Sequence, residues 1–260
     1  MKARRVGALA EVAAVEACFL VAAWALQAIN PELSGWLSKA LMVLLALAGI
    51  AAHGRPGEYG LKPRSLKFSA KWCCYVLALF LAAYLAALLA ISLAGGRVAL
   101  NPTGLLKALA WYYLAVGFAE ELFFRGYVQS RLNEVFTEKY RRFLGVDFEW
   151  TQGTLITAVF LFGLPHLLTG VNPFTKTLRV GPLTVAVTAS AVFVGLVAGV
   201  LREKTGCVLL PTVLHGSITF TTFSLSSAVG LALSSTTAAA ALFVFLAALL
   251  EKLLKEPLKD

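Results

Sequence analysis

Charged residues are scarce in this sequence. Asp, Glu, Lys and Arg make up only 14% of its 260 residues, whereas hydrophobic residues make up 59%. A soluble domain carries about 25% charged residues, so this composition excludes a protein whose whole surface faces water. Apolar runs of about 20 residues can each cross the hydrocarbon core of a bilayer. The runs in this chain predict an all-α polytopic membrane protein of eight transmembrane helices, at residues 9–29, 36–52, 71–94, 105–128, 151–169, 182–201, 207–227 and 229–250.

Several motifs of soluble enzymes and metalloproteins are also missing. The four cysteines, Cys18, Cys73, Cys74 and Cys207, lie in or at the ends of apolar runs, and no CxxC spacing occurs. They are therefore predicted to be small buried side chains rather than disulfide, metal or redox groups. The sequence contains no His-Glu-x-x-His helix, GxSxG turn, P-loop or GxGxxG motif, which excludes the common zinc-protease, serine-hydrolase and nucleotide sites.

The net charge of +9 is distributed as in a membrane protein rather than as in a nucleic-acid-binding protein. If the N-terminus lies inside, most of the 23 lysines and arginines fall in cytoplasmic segments. The outer side then holds only Lys39, Arg97, Lys107, Lys176 and Arg179. This positive-inside pattern predicts a multi-pass integral membrane protein with both termini in the cytoplasm. Its expected partner is the lipid bilayer, not nucleic acid.

No internal repeat or low-complexity linker divides the chain, so a single transmembrane domain over residues 1–260 is predicted. The longest stretch between spans, from Ser130 to Glu149, alternates charged with apolar residues. Its pattern fits an interfacial amphipathic helix over residues 130–149. A solvated extension of the fourth span is an equally good interpretation.

Two adjacent glutamates lie inside the fourth apolar run. Ionisable side chains in membrane spans are costly to insert and normally face partners in the interior of the bundle. Glu121 and Arg125 are four residues apart with the acid first, the favourable arrangement for an ion pair on one helical face. Glu120 points about 100° away from its neighbour. Glu121 is therefore predicted to be neutralised by Arg125, while Glu120, with no cation of its own, faces a cavity and can act as a general base.

Two of the three histidines also lie in apolar runs. His166 closes the fifth run after Pro165, and His215 lies within the seventh. A lone histidine in an apolar helix is most often a hydrogen-bonded structural residue, but two of them in separate spans of a chain with only three histidines favour a functional site. The same groups could instead hold Zn²⁺ with an open position. Because Arg125 near the carboxylates disfavours a cation, no metal or other cofactor is expected.

The ordered motifs resemble those of the CAAX-processing and bacteriocin-processing family of intramembrane glutamic proteases, which are type II CAAX prenyl endopeptidase-like proteins. The first two motifs are Glu120-Glu121-x-x-x-Arg125 and Phe162-x-x-x-His166. The third is His215, which follows Thr205-Gly206 and Pro211. The string Glu-Tyr-Gly-Leu-Lys-Pro at 58–63 resembles the segment before the family's core, which places the motif-bearing core at about 58–227.

The resemblance implies an intramembrane endopeptidase that cleaves near the C-terminus of a peptide or protein substrate at the membrane, archetypally an isoprenylated protein. It implies that Glu120 with His166 activates water. It also implies that His215, together with the residue four positions later, holds the oxyanion. The family usually has Asn or Asp at that position, where this chain has Thr219, whose hydroxyl donates a single hydrogen bond.

Supporting roles in the same site are implied for Glu121, Arg125 and Phe162. A different class of function also remains open on the residues alone. The chain could be a non-catalytic membrane scaffold disabled at Thr219, or a proton-coupled transporter that relays protons through Glu120 and His166. A transporter is expected to have repeats with interrupted helices in matching positions, and no such repeat is evident in the sequence.

Overall fold

Helices make up most of the molecule. The computed structural model describes residues 2–54, 56–96 and 101–258. The helices are α1 (Lys2–Ile29), α2 (Pro31–His53), α3 (Leu66–Leu93), α4 (102–133), α5 (Gln152–Gly170), α6 (Pro182–Thr205), α7 (Leu209–Ser224), α8 (Ser226–Val229) and α9 (Leu231–Lys255), with one further helical turn at Gly57–Leu61. The predicted all-α class is confirmed.

Six helices in the described part of the chain are long and apolar enough to cross a membrane. They are α1, α2, α3 together with the turn before it, α5, α6 and α9. Large apolar side chains such as Leu44, Leu81, Leu89 and Phe243 are exposed on their outer faces. Exposed apolar surface of this extent is expected where helices contact lipid rather than water. The protein is therefore an integral membrane protein.

The predicted spans 105–128 and 207–227 are not among these six. The first coincides with α4, which is helical throughout but contains π-type segments at Ala110–Phe118 and Leu122–Val128, together with several charged residues. The second coincides with α7, which has only 16 residues, fewer than the about 20 that a straight crossing needs. The number of eight spans is thus not confirmed. The predicted topology was based on the distribution of lysine and arginine. Three of these residues, Arg55, Arg97 and Lys259, lie outside the described residues.

The chain divides into two compact units. The first unit comprises Met1–Pro63 and Ala119–Val208, and the second comprises Arg64–Phe118 and Leu209–Asp260. The chain therefore passes from the second unit into the first within α4, between Phe118 and Ala119. A single transmembrane domain over residues 1–260 stays a prediction.

The first unit packs one face of α1 against the second half of α4. The residues Ala8, Val12 and Phe19 recur at helical spacing and are buried in the same core cluster as Phe123. A polar cluster also joins these helices: the Glu11 carboxylate lies 2.8 Å from each of His53 Nε2, the Tyr127 hydroxyl and Arg131 Nε. Together these contacts fix α1, α2 and α4 against one another.

A β-hairpin stands where the amphipathic helix over 130–149 is predicted, so that prediction is wrong. Helix α4 continues only to Asn133, and the strands β1 (Lys139–Phe143) and β2 (Val146–Thr151) pair antiparallel. The turn residues Leu144 and Gly145 both have positive φ, 47° and 84°, as two-residue hairpin turns require. Val-Asp-Phe-Glu-Trp at 146–150 alternates apolar with acidic residues at the period of a strand, and this signal decides the local structure.

A second, very small hairpin follows α5. Its strands β3 (Val171–Asn172) and β4 (Thr177–Leu178) pair antiparallel. The Asn172 side chain accepts hydrogen bonds from the amides of Phe174 and Thr175 and donates to the Trp24 carbonyl. The segment after α5 is thereby tied to α1.

The second unit contains α3, the first half of α4, α7, α8 and α9. A hydrogen bond between hydroxyl groups and a stack of aromatic rings connect its helices. The Tyr113 and Ser217 hydroxyls are 2.9 Å apart, and Tyr84 stacks on Phe220 with ring centroids 5.6 Å apart. These contacts hold α3 and the first half of α4 against α7.

Candidate active site

Glu121 and Arg125 form an ion pair in the interior of the first unit. The Arg125 Nε and the Glu121 Oε2 are 3.2 Å apart, and both side chains are almost completely excluded from solvent. The pair is local because residues four apart on a helix lie one above the other. The ion pair predicted from this spacing is present.

Phe162 and α6 complete the surroundings of Arg125. The guanidinium carbon lies 4.0 Å from the centroid of the Phe162 ring, and Nη2 donates to the Gly195 carbonyl at 3.2 Å. A Cβ added at Gly195 would lie 2.9 Å from Phe162 Cδ1 and 3.2 Å from Arg125 Nη2. Glycine is therefore required here for close approach. The buried cation is enclosed by a carboxylate, an aromatic face and a carbonyl oxygen.

Glu120 also has a cation, and here the sequence-based prediction is wrong. Lys39 Nζ donates to Glu120 Oε1 at 2.6 Å, so Glu120 is not a carboxylate without a cation of its own. The side chain of Lys39 is 18% exposed and that of Glu120 is 13% exposed. This pair is therefore less enclosed than the ion pair of Glu121 and Arg125. The physical reason is that α2 packs against the turn of α4 that carries Glu120, which brings Lys39 to this carboxylate.

His166 lies in the 3₁₀ segment Leu164–Gly170, which ends α5. Its Nδ1 is 2.8 Å from the Phe162 carbonyl oxygen, and its ring meets the Phe162 ring edge-on with centroids 5.1 Å apart. A carbonyl oxygen only accepts, so Nδ1 must carry the proton of this hydrogen bond. In the neutral imidazole Nε2 is then an acceptor that can bind a proton donor such as water.

Glu120 and His166 line the same cavity, whose volume is about 150 Å³. Lys39 and Glu16 also line it, and its remaining walls are mostly apolar. A space of this size holds several water molecules. The structure thus brings the predicted site residues Glu120 and His166 together on one cavity, and Phe162 forms part of its wall. The ion pair of Glu121 and Arg125 begins at the next residue of α4.

Lys39 and Glu16 are the site residues that sequence reasoning missed. Glu16 is only 5% exposed, and its Oε1 has no hydrogen-bond partner among the described residues. Both residues were visible as ionisable side chains in or beside apolar runs, which is the usual sign of a functional position in a membrane protein. Because they belong to α1 and α2, far from the glutamate motif in sequence, only the tertiary structure joins them to it.

His215 and Thr219 belong to the second unit, on α7. His215 is buried, and Thr219 is half-buried one helical turn later. The Thr219 hydroxyl contacts the carbonyl oxygens of His215 at 3.0 Å and Gly216 at 3.2 Å. Span threonines commonly donate to the backbone in this way. The oxyanion roles of both residues stay predictions.

Metal ligands do not cluster at this site. Within residues 2–54, 56–96 and 101–258, no group of three or more His, Cys, Asp or Glu side chains could hold a metal ion. In the cavity the ammonium group of Lys39 already neutralises the Glu120 carboxylate. The cavity therefore brings together a carboxylate, an ammonium group and an imidazole.

Comparison with known families gives a match over the segment that carries the three motifs. Residues 102–221 match the family model described as Rce1-like, type II CAAX prenyl endopeptidase. Lys39 and Glu16 lie outside this segment. Comparisons with curated proteins and with solved structures return no match. The resemblance inferred from the motifs is confirmed over residues 102–221, which are similar to the Rce1-like type II CAAX prenyl endopeptidase family.

Proposed function

We propose that this protein is an intramembrane endopeptidase that cleaves a peptide bond near the C-terminus of a membrane-associated substrate with a water activated by Glu120 and His166. One observation carries the proposal: these two side chains, from separate helices, line one cavity of about 150 Å³. The family match of residues 102–221 supports the same class of reaction.

The proposed reaction begins with a water molecule between the Glu120 carboxylate and His166 Nε2. Glu120 takes a proton from the water while the water oxygen forms a bond to the carbonyl carbon of the scissile peptide. The carbonyl π electrons move to its oxygen and give a tetrahedral intermediate. When the intermediate collapses, the C–N bond breaks and the proton held by Glu120 passes to the leaving amine. Glu120 is a carboxylate again at the end of the cycle.

Glu121 and Arg125 are proposed to hold the catalytic turn of α4 in place without taking part in proton transfer. Their ion pair is sealed from solvent and is fixed to Phe162 and to Gly195. The carbonyl of the same Phe162 accepts the hydrogen bond that orients His166. A buried ion pair with these contacts therefore positions both the base and its partner.

A second cavity of the first unit offers room for a substrate. Its volume is about 240 Å³, and it shares Leu20, Pro165 and Thr169 with the cavity of Glu120 and His166. Its other walls include Trp24 and several hydroxyl side chains. An adjoining space with mixed apolar and polar walls suits a short extended peptide, whose backbone needs hydrogen-bond partners while its side chains need apolar contacts.

On the resemblance, His215 is proposed to donate a hydrogen bond to the oxyanion, with Thr219 at the position of the family's second donor. Replacing His215 by Ala tests this role. We expect turnover to fall by about 10²–10³-fold, as when one oxyanion donor is removed from other hydrolases. Turnover near that of the wild type would remove His215 from the mechanism.

The direct test of function is a cleavage assay on the purified full-length protein. Two peptides of one sequence serve as substrates, one farnesylated and one unmodified, each with and without a chelator, and products are identified by mass spectrometry. Cleavage near the C-terminus that is lost in Glu120→Gln supports the proposal, and the two peptides decide whether prenylation is required. Loss of cleavage on chelation would show that the mechanism needs a metal. No cleavage of any peptide would overturn the proposal.

We further propose eight spans with both termini in the cytoplasm. A single cysteine at Leu144, an exposed residue of the first hairpin turn, reports its side of the membrane. In a variant without the four native cysteines, a membrane-impermeant maleimide should label this position in inside-out but not in right-side-out vesicles. Labelling only in right-side-out vesicles would reverse the topology.

A further inference from the structure

Peptide hydrolysis places a full negative charge on the carbonyl oxygen of the tetrahedral intermediate, so an efficient site needs donors aimed at that oxygen. Four residues after His215, where the resembling family usually has Asn or Asp, this chain has the hydroxyl of Thr219. A hydroxyl has one proton, and that of Thr219 is directed at backbone carbonyls of α7. On the proposed function, part of the oxyanion's stabilisation then falls to other groups.

Lys39 is a cation on the cavity that Glu120 and His166 line. Its Nζ lies 2.6 Å from Glu120 Oε1, and its side chain lines the same cavity as Glu120 and His166. The water that Glu120 activates must be within hydrogen-bonding distance of the carboxylate, and the attacked carbonyl must be in contact with that water. An ammonium group paired with the base is therefore close enough to reach the carbonyl oxygen by a small movement of a flexible side chain.

We propose that Lys39 is a catalytic residue that pairs with the Glu120 carboxylate before the reaction and donates to the oxyanion after Glu120 has taken the proton of water. Proton transfer neutralises Glu120, so the ammonium loses its anionic partner at the moment when a new anion forms beside it. One positive charge thus serves two anions in turn. This inference rests on the proposed function and adds a residue from outside the segment that matches the family model.

The proposed role requires the Lys39 ammonium to move from Glu120 to the oxyanion. A lysine that only stabilises the fold would keep one partner. Lys39 is 18% exposed, and among the described residues its ammonium has two hydrogen-bond partners, Glu120 and the sulfur of Met42, which is 3.9 Å away. A side chain with so few fixed contacts can turn toward a substrate at little cost. By contrast, Arg125 is fixed by a carboxylate, an aromatic ring and a carbonyl, and it cannot move in the same way.

The test compares Lys39→Met, Lys39→Arg and the control Lys176→Met in the purified full-length enzyme. Lys176 is an exposed lysine of the same unit and does not line the cavity. We expect Lys39→Met to lower kcat by about 10²–10³-fold with little change in KM, the loss typical of one oxyanion donor. Lys39→Arg should restore part of the loss because it keeps the charge, and Lys176→Met should cleave like the wild type.

A phosphonate analogue of the peptide, which mimics the tetrahedral oxyanion, separates this role from mere positioning of Glu120. The inhibition constant of the analogue should rise in Lys39→Met by the same factor by which kcat/KM falls. An unchanged inhibition constant, or cleavage by Lys39→Met within about threefold of the wild type, would overturn the inference while leaving the proposed function intact. A wild-type enzyme that cleaves no peptide would overturn both. If Lys39→Met fails to fold in detergent, the same comparison is made with Lys39→Arg and Lys39→Gln.

Discussion

The two neighbouring glutamates of α4 lie in different surroundings. Glu121 is completely buried with Arg125, whereas Glu120 and Lys39 lie on a cavity and remain 13% and 18% exposed. One residue along a helix turns the side chain by about 100°, which is enough to separate a packed interior from a water-sized space. Two adjacent acidic residues can therefore supply one buried ion pair and one carboxylate on a cavity.

The two carboxylates also differ in how far away their partners are along the chain. Arg125 is four residues from Glu121, and Lys39 is 81 residues from Glu120. The first pair forms from helix geometry alone, whereas the second depends on the packing of α2 against α4. Variants that change one pair and not the other can therefore test whether the Glu121 pair supports stability while Glu120 supports turnover.

The largest effect is expected for Glu120→Gln. The amide cannot accept the proton of water, so turnover should fall by about 10²–10⁴-fold, the usual contribution of a general base. Stability should change by only about 1 kcal/mol, because cavity water can hydrate the Lys39 ammonium. Kinetics and thermal unfolding in detergent measure both quantities, and more than a tenth of wild-type turnover would contradict the assignment.

Glu121→Gln should affect stability instead. The change leaves the buried Arg125 charge without its carboxylate, which typically costs about 3–5 kcal/mol. The matched comparison is Glu120→Gln, which makes the same chemical change one residue away. Equal unfolding temperatures for the two variants would contradict the proposed division between a structural and a chemical glutamate.

Gly195→Ala tests whether α6 supports the ion pair of Glu121 and Arg125, because the Gly195 carbonyl accepts a hydrogen bond from Arg125. The new methyl group would contact Phe162 Cδ1 and Arg125 Nη2 at distances too short for normal packing. We expect a loss of about 1–3 kcal/mol by overpacking, and a smaller loss of turnover through displacement of Phe162 and His166. Gly7→Ala, where no atom lies within 4 Å of the added carbon, is the control and should be stable. A stable and active Gly195→Ala variant would show that this contact does not position the site.

The smallest effect is expected for Thr219→Val. Because the hydroxyl donates to backbone carbonyls of its own helix, its removal should change turnover by no more than about threefold. Thr219→Asn is the informative partner because it introduces the amide that the family usually has. A large loss of kcat in the valine variant would mean that the hydroxyl turns to the substrate, and would assign the oxyanion to Thr219.

The sequence predicted the features that depend on composition and short spacing. Its apolar content determined the membrane class, and the i, i+4 spacing of Glu121 and Arg125 predicted their pair, because helix geometry is the same in any protein. The order of the glutamate and histidine motifs predicted the family. The first hairpin was missed, although Val146, Phe148 and Trp150 carry a strand period, because a short segment of mixed charge also fits an amphipathic helix.

The surroundings of Glu120 were decided by the tertiary structure. Lys39 was counted with the outer side, although it lies within the predicted span 36–52, because hydropathy does not show which helix a side chain packs against. Its contact with Glu120, like the presence of Glu16 on the same cavity, arises from packing between helices distant in sequence. No local spacing encodes such a contact. Composition and spacing thus establish which groups are ionisable within the apolar runs. The packing of α1, α2, α4 and α5 establishes which of them share a cavity, because a shared cavity depends on helix positions rather than on residue order.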